Sequence, residues 1–145
     1  MAMILGLDIG QKRVGVAIAN ESLRVATPHL IVSVKDRKQL LERIQQLVEE
    51  FGAKKIVVGL PKTLKGEIGA SAKQVVALVD WMKENIAVDW VFWDERLSTK
   101  EVERVLLEAD LNSRQRRHIQ DSLAAQRILQ GYLDHHFHRN ASAQI

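Results

Sequence analysis

The stretch ILGLDIGQKRVGVAIA, residues 4–19, decides how this chain is read. Met3–Asp8 and Val14–Ala19 are apolar runs rich in β-branched residues, and Gly10-Gln11-Lys12-Arg13 separates them, which is the pattern of a β-hairpin. Yet the first strand ends on a carboxylate, Asp8. A charged carboxylate left unpaired among apolar side chains is costly, so the amides of a tight turn or a bound cation must stabilise it.

Working outward, a third strand is expected over His29–Val34, after Pro28. From Asp36 the period changes to helical: Leu40, Leu41, Ile44, Leu47, Val48 and Phe51 share a face, Asp36 can cap the start and Gly52 can stop the end. KKIVVGLP, residues 54–61, is a continuous apolar run of the kind found in strands covered on both faces. Ser71 and Gln74 are spaced as a capping box for a helix through Asn85, and VDWVFW at 88–93 reads as a fifth strand. A second box, Ser98 to Glu101, starts another helix, and a last helix is expected over Ser113–Phe137. Three leading strands followed by strand-helix alternation imply an α/β domain, a mixed sheet covered by helices. In such a sheet ligands collect where the ends of neighbouring strands meet.

The 145 residues, 46% of them hydrophobic, suit a single domain over 1–138, with 139–145 a loose tail. No apolar run reaches the roughly 18 residues that cross a bilayer, and Met1-Ala2-Met3 leads straight into a strand with no leader pattern. A soluble cytoplasmic protein is therefore expected. The absence of cysteine excludes disulfides and thiolate metal sites, so a metal would be held by oxygen or imidazole. The net charge of +3 is small, but its distribution is uneven. Lys54, Lys55, Lys62, Lys65 and Lys73 face one acid, Glu67, across residues 54–73, and NSRQRRHIQ at 112–120 has three arginines and no acid. Charge alone fits either solvated loops or a phosphate-facing surface.

The carboxylates fall at strand ends. Asp8 closes the first strand, Asp94 and Glu95 close the fifth, and Asp121 shares a helical face with Ala125, Ile128 and Tyr132. The small Ala124 and Ala125 would let that last helix approach the sheet and bring Asp121 to the strand ends. Clustered acids need a cation, and an all-oxygen donor set suits Mg²⁺ or Mn²⁺. Two such ions can drive phosphodiester hydrolysis. Singly, each acid also has a structural use: turn hydrogen bonds for Asp8, pairing with Arg96 for Asp94 or Glu95, and the helix dipole for Asp121.

GLDIGQKRVGVAIA, VVGLPKTLKGEIG, DERLST and DSLAAQRILQGYL, in this order from Ile4 to Leu133, resemble the YqgF/RuvX family. Its members are Holliday-junction-resolvase-like or pre-16S rRNA nucleases within the RNase H-like fold. The resemblance implies a five-stranded mixed sheet of order 3-2-1-4-5, strand 2 antiparallel, with helices on both faces. It also implies an acidic metal site of Asp8, Glu95 and Asp121 acting as ligands and catalytic residues. Asp94 competes with Glu95 for the third position, and strand alternation leaves only one of them on the site's side. His118, one turn before Asp121, is a further candidate.

Lys12, Arg13, Lys62, Lys65 and Arg96 are placed to hold substrate phosphates without reading bases, and Arg114, Arg116 and Arg117 extend that basic set. The HHFH run at 135–138 suits a polar helix end, where histidines favour the dipole. Trp81, Trp90 and Trp93 fit core packing. The expected partner is structured RNA such as pre-rRNA, or branched DNA, with ribosomal particles as a wider context. No membrane is expected, and monomer and homodimer both stay open. Two other readings compete with this one. Actin- and Hsp70-type ATPases use a similar hairpin for phosphate but duplicate the domain, and a non-cutting RNA-binding maturation factor would use the basic residues alone.

Overall fold

The computed structural model describes residues 3–33, 35–61, 69–94 and 123–136. Five strands form one sheet: β1 (Met3–Ile9), β2 (Arg13–Asn20), β3 (Val25–Ser33), β4 (Ala53–Leu60) and β5 (Asp89–Asp94). Their order is β3-β2-β1-β4-β5. β2 runs antiparallel to both β1 and β3, whereas β1, β4 and β5 are mutually parallel. This is the expected architecture.

Helix α1 (Arg37–Phe51) forms as its sequence dictates. Asp36 is extended and accepts from the Gln39 amide at 2.8 Å, and Gly52 ends the helix at φ 62°, its N–H bonded to the Val48 carbonyl. Helix α2 (Ala70–Lys83) departs from expectation. Its cap is Gly69, with no side-chain cap bond. Ser71 lies already inside the first turn, so it lacks the extended backbone that a capping hydroxyl requires, and the Ser71–Gln74 box does not form. A third helix, α3, covers 123–136. Among the described residues no helix is long and apolar enough to cross a membrane.

The third strand begins at Val25, four residues before the expected His29, and Pro28 lies within it. β3 is the sheet's edge, where a missing N–H is tolerated. The register shifts there, with Ala17 opposite Pro28 and Val16 opposite Leu30, so His29 is the extra residue of a bulge.

Alternation along each strand sorts the side chains into two cores. Leu5, Leu7, Val14, Val16, Ile56 and Val58 pack against Leu40, Ile44 and Leu47 of α1 and Val75, Val79 and Met82 of α2. Ile4, Ala17, Ala19 and Val57 pack on the other face against Ala125, Ile128, Leu129 and Leu133 of α3. The close approach of α3 rests on Gly6 as well as on Ala125. A Cβ at Gly6 would lie 2.7 Å from Leu129 Cβ and 3.1 Å from the Ala125 carbonyl oxygen.

Two glutamines fasten α3 to the sheet edge. Gln126 donates to the Ala26 carbonyl at 3.0 Å, and Gln130 accepts from the Ala26 amide at 2.9 Å while donating to the Arg24 carbonyl at 3.0 Å. The backbone of Ala26 is thereby satisfied at the edge of the sheet.

Candidate active site

Because β1, β4 and β5 are parallel, their C-terminal ends meet at one edge of the sheet, and that edge carries Asp8, Leu60 and Asp94. The β1–β2 turn closes tightly above it, the Gly10 amide donating to the Arg13 carbonyl at 2.9 Å. A Cβ at Gly10 would come 2.9 Å from that oxygen, so only glycine fits the turn. The turn holds Lys12 exposed and Arg13 half-buried.

Asp8 follows Ile4 and Gly6 on the α3 face, whereas Leu5 and Leu7 belong to the other core. It is paired with Gly15 of β2, and Arg13 shares Gly15's face two positions away. Ladder geometry sets such diagonal neighbours about 7–8 Å apart, so a cationic side chain stands on the same face as the carboxylate. Continuing the β1–β4 register past Leu7 and Val58 brings Gly59 alongside Asp8. Gly15 and Gly59 are both buried. Backbone glycines thus flank the acid on both sides, a feature the sequence analysis did not single out. The signal was present: a glycine inside a strand marks close approach by another group.

Asp94 sits differently. Trp90 and Phe92 pack in the α1/α2 core, while Val91 and Trp93 pack in the α3 core. Alternation therefore gives Asp94 the register of Trp90 and Phe92, opposite to that of Asp8. Helix α3 runs away from Asp8, from Ala125 beside Gly6 to Tyr132, whose hydroxyl accepts from Lys55 at 2.7 Å. Its described N-terminal end therefore lies at the Asp8 end of this face.

On the α2 side the same edge opens into a cleft of about 610 Å³. Asp8, Ile9, Gly10 and Gln11 line one wall, Ser71, Gln74, Val75 and Leu78 the other, with Pro61 between them. Ser71 and Gln74, spaced as a cap in the sequence, are thus cleft residues.

Of the expected site residues, Asp8, Asp94, Lys12 and Arg13 are described, and Asp8, Lys12 and Arg13 gather around the β1–β2 turn. Glu95, Arg96, Asp121, His118, Lys62, Lys65, Arg114, Arg116 and Arg117 lie outside the described residues. Among the described residues no three histidine, aspartate or glutamate side chains are grouped to hold a metal. Asp8, the one carboxylate on the α3 side of this edge among the described residues, is a hard oxygen donor suited to a divalent cation.

The aromatic residues serve packing, as expected. Trp81 and Trp90 border the α1/α2 core and Trp93 the α3 core. The guanidinium of Arg37 lies 4.6 Å from the centre of the Trp81 ring. His136 stacks on Tyr132 at 5.5 Å, and His135 lies 5.5 Å from Trp93. At the opposite end of the sheet, the hydrogen bond that Lys55 donates to Tyr132 and the nearby Asp89 carboxylate, 3.9 Å away, hold the Lys55 ammonium above the usual lysine range.

Strand order, mixed pairing and helices on both faces define an α/β domain of the RNase H-like class. Its fold is shared with T. thermophilus RuvC solved with a Holliday junction substrate, at TM-score 0.59 and 16% identity, covering 91% of this chain and 94% of that one. The fowlpox virus Holliday junction resolvase aligns at TM-score 0.54 and 10% identity over 93% and 99% of the two chains. At sequence level, residues 2–135 match the family described as "RuvX: Holliday junction resolvase". Relatives bearing the name "Putative pre-16S rRNA nuclease" include one from Desulforudis audaxviator, 40% identical over 90% of this chain and 93% of its own length. Another, from Syntrophomonas wolfei, is 43% identical over the same shares. The chain belongs to the RuvX family.

Proposed function

We propose that this protein is a divalent-metal-dependent nuclease that hydrolyses phosphodiester bonds of structured nucleic acid, with the 5′ end of pre-16S rRNA as its substrate. One observation carries the reading: the only acid of β1 stands at the shared C-terminal edge of three parallel strands, on the face that α3 covers, beside a basic turn. The names borne by the relatives support the rRNA substrate, and the family's description makes a DNA junction the competing one.

In this reading Asp8, Glu95 and Asp121 hold two Mg²⁺ or Mn²⁺ ions, and Glu95 is preferred to Asp94 because alternation gives Asp94 the opposite register. When bound, the ions activate water and stabilise the leaving oxygen. Lys12 and Arg13 position backbone phosphates at the turn, and the further lysines and arginines named from the sequence extend the grip. His118, three residues before Asp121 in the sequence, assists.

The test is cleavage of labelled structured RNA and of a four-way DNA junction in Mn²⁺, Mg²⁺ and EDTA, with Asp8→Asn alongside. Metal-dependent cutting that Asp8→Asn abolishes supports the proposal, and the preferred substrate separates RNA from DNA. Salt-dependent retention of both substrates with no cutting under any condition would replace it with a binding role.

A further inference from the structure

Helix α3 is fixed to the sheet on both flanks. On one, Gln126 and Gln130 hold Ala26 of β3. On the other, the indole of Trp93 lies against Gly131. A Cβ on Gly131 would stand 3.0 Å from the indole Nε1, 3.3 Å from Cε2 and 3.4 Å from Cζ2. Glycine is, after proline, the residue least favoured inside a helix, and the close approach of the indole accounts for this one. Two further rings border the notch. Tyr132 meets Trp93 edge to face at 6.3 Å, and His135, four residues beyond Gly131, lies 5.5 Å from it. The indole N–H is buried with no acceptor among the described residues, so the contact works through shape.

Its position gives that shape a use. The β4–β5 ladder closes with Gly59 opposite Trp93 and Leu60 opposite Asp94. Asp94 takes the other register, so Trp93 is the last described side chain of β5 on the α3 face. In the sequence, Glu95 follows Trp93 by two positions and Asp121 precedes residue 123, where the described part of α3 begins, by two. We infer that Trp93 and Gly131 are positioning residues: the indole in the glycine notch sets how closely the end of β5 stands to α3, and through these elements the spacing of Glu95 and Asp121 around the metal. The inference rests on the nuclease reading, in which those acids are ligands, and adds the joint that spaces them.

The test is a double-variant cycle of Gly131→Ala, Trp93→Phe and the two combined. Mn²⁺ affinity is read from free Mn²⁺ by electron paramagnetic resonance, beside cleavage kinetics at saturating Mn²⁺ and denaturant unfolding. The methyl group of Gly131→Ala should displace the indole, and the smaller ring of Trp93→Phe should leave the joint slack. Each single variant should bind Mn²⁺ about tenfold more weakly and lose about tenfold in kcat, the scale found for groups that orient metal ligands. KM should hold, because the phosphate contacts at Lys12 and Arg13 are untouched. The combined variant should recover most of both losses, since the added methyl group takes space that the smaller ring vacates. A wild type that binds Mn²⁺ and cuts, beside folded single variants that match it in both, would overturn the inference and leave the nuclease standing. A combined variant no better than the singles would overturn it too, by tracing the losses to general damage. If Gly131→Ala fails to fold, Trp93→Phe decides alone: weaker Mn²⁺ binding by a folded protein upholds the joint, and unchanged binding rejects it. A wild type that neither binds Mn²⁺ nor cuts rejects the nuclease reading, and the positioning role falls with it.

Discussion

The two ends of the parallel strands are built on opposite plans. At the N-terminal end, the Lys55 ammonium donates to Tyr132 at 2.7 Å and lies 3.9 Å from Asp89, with His136 stacked over the phenol ring. Lys55 is thus answered from within the chain. At the C-terminal end, Asp8 is flanked by glycine positions on β2 and β4 and borders a cleft of about 610 Å³. The same strands therefore carry one end that fixes α3 and another at which the described residues border a cleft.

Substitutions at the two ends should separate stability from activity. The largest effect is expected from Asp8→Asn: a metal contributes several kcal/mol to phosphodiester hydrolysis, and tenfold in rate is 1.36 kcal/mol, so cutting should fall by about 10³-fold. Thermal unfolding of the same variant should match wild type, and a large loss of Tm would place Asp8 among the structural residues instead. Gly6→Ala should act in the opposite sense. Its methyl group has no room against Leu129, so overpacking should cost about 1–3 kcal/mol in denaturant unfolding, with activity per folded molecule preserved. An unchanged midpoint would mean that α3 shifts freely.

The smallest effect belongs to Lys55→Met, which removes one partly solvated hydrogen bond worth about 0.5–1.5 kcal/mol. Its pH dependence has a definite sign. Because the folded state raises the Lys55 pKa, the contribution is fully present below the ordinary lysine range and disappears as pH rises through the raised value. Wild type and variant should therefore differ in stability near neutrality and converge in strong alkali. A constant difference across that range would assign the effect to packing of the lysine stem.

Much of this architecture was legible in the chain because the decisive signals are local. The Asp36 cap, the Gly52 stop and the hairpin around Gly10 each follow from one residue's conformational or hydrogen-bonding preference, and Asp8 stood out as a charge in an apolar strand. The misreadings came from context. Pro28 reads as a boundary unless β3 is known to be an edge, and Ser71 reads as a cap unless the helix is known to start at Ala70. Gly6 looks like any strand glycine until Leu129, over a hundred residues later, is seen to occupy its missing side chain. The register of Asp94 shows only once it is seen which core takes Trp90 and which takes Trp93.

The glutamine clasp on Ala26 joins positions 104 residues apart. During synthesis the hairpin and edge strand leave the ribosome first, and Gln130 follows 104 residues after Ala26. Through that interval the backbone of Ala26 stays available to any other extended chain, a recognised route to misassembly. The enclosure of this edge is therefore a late event in the life of each molecule, and truncation before Gln130 should yield a species that associates through β3.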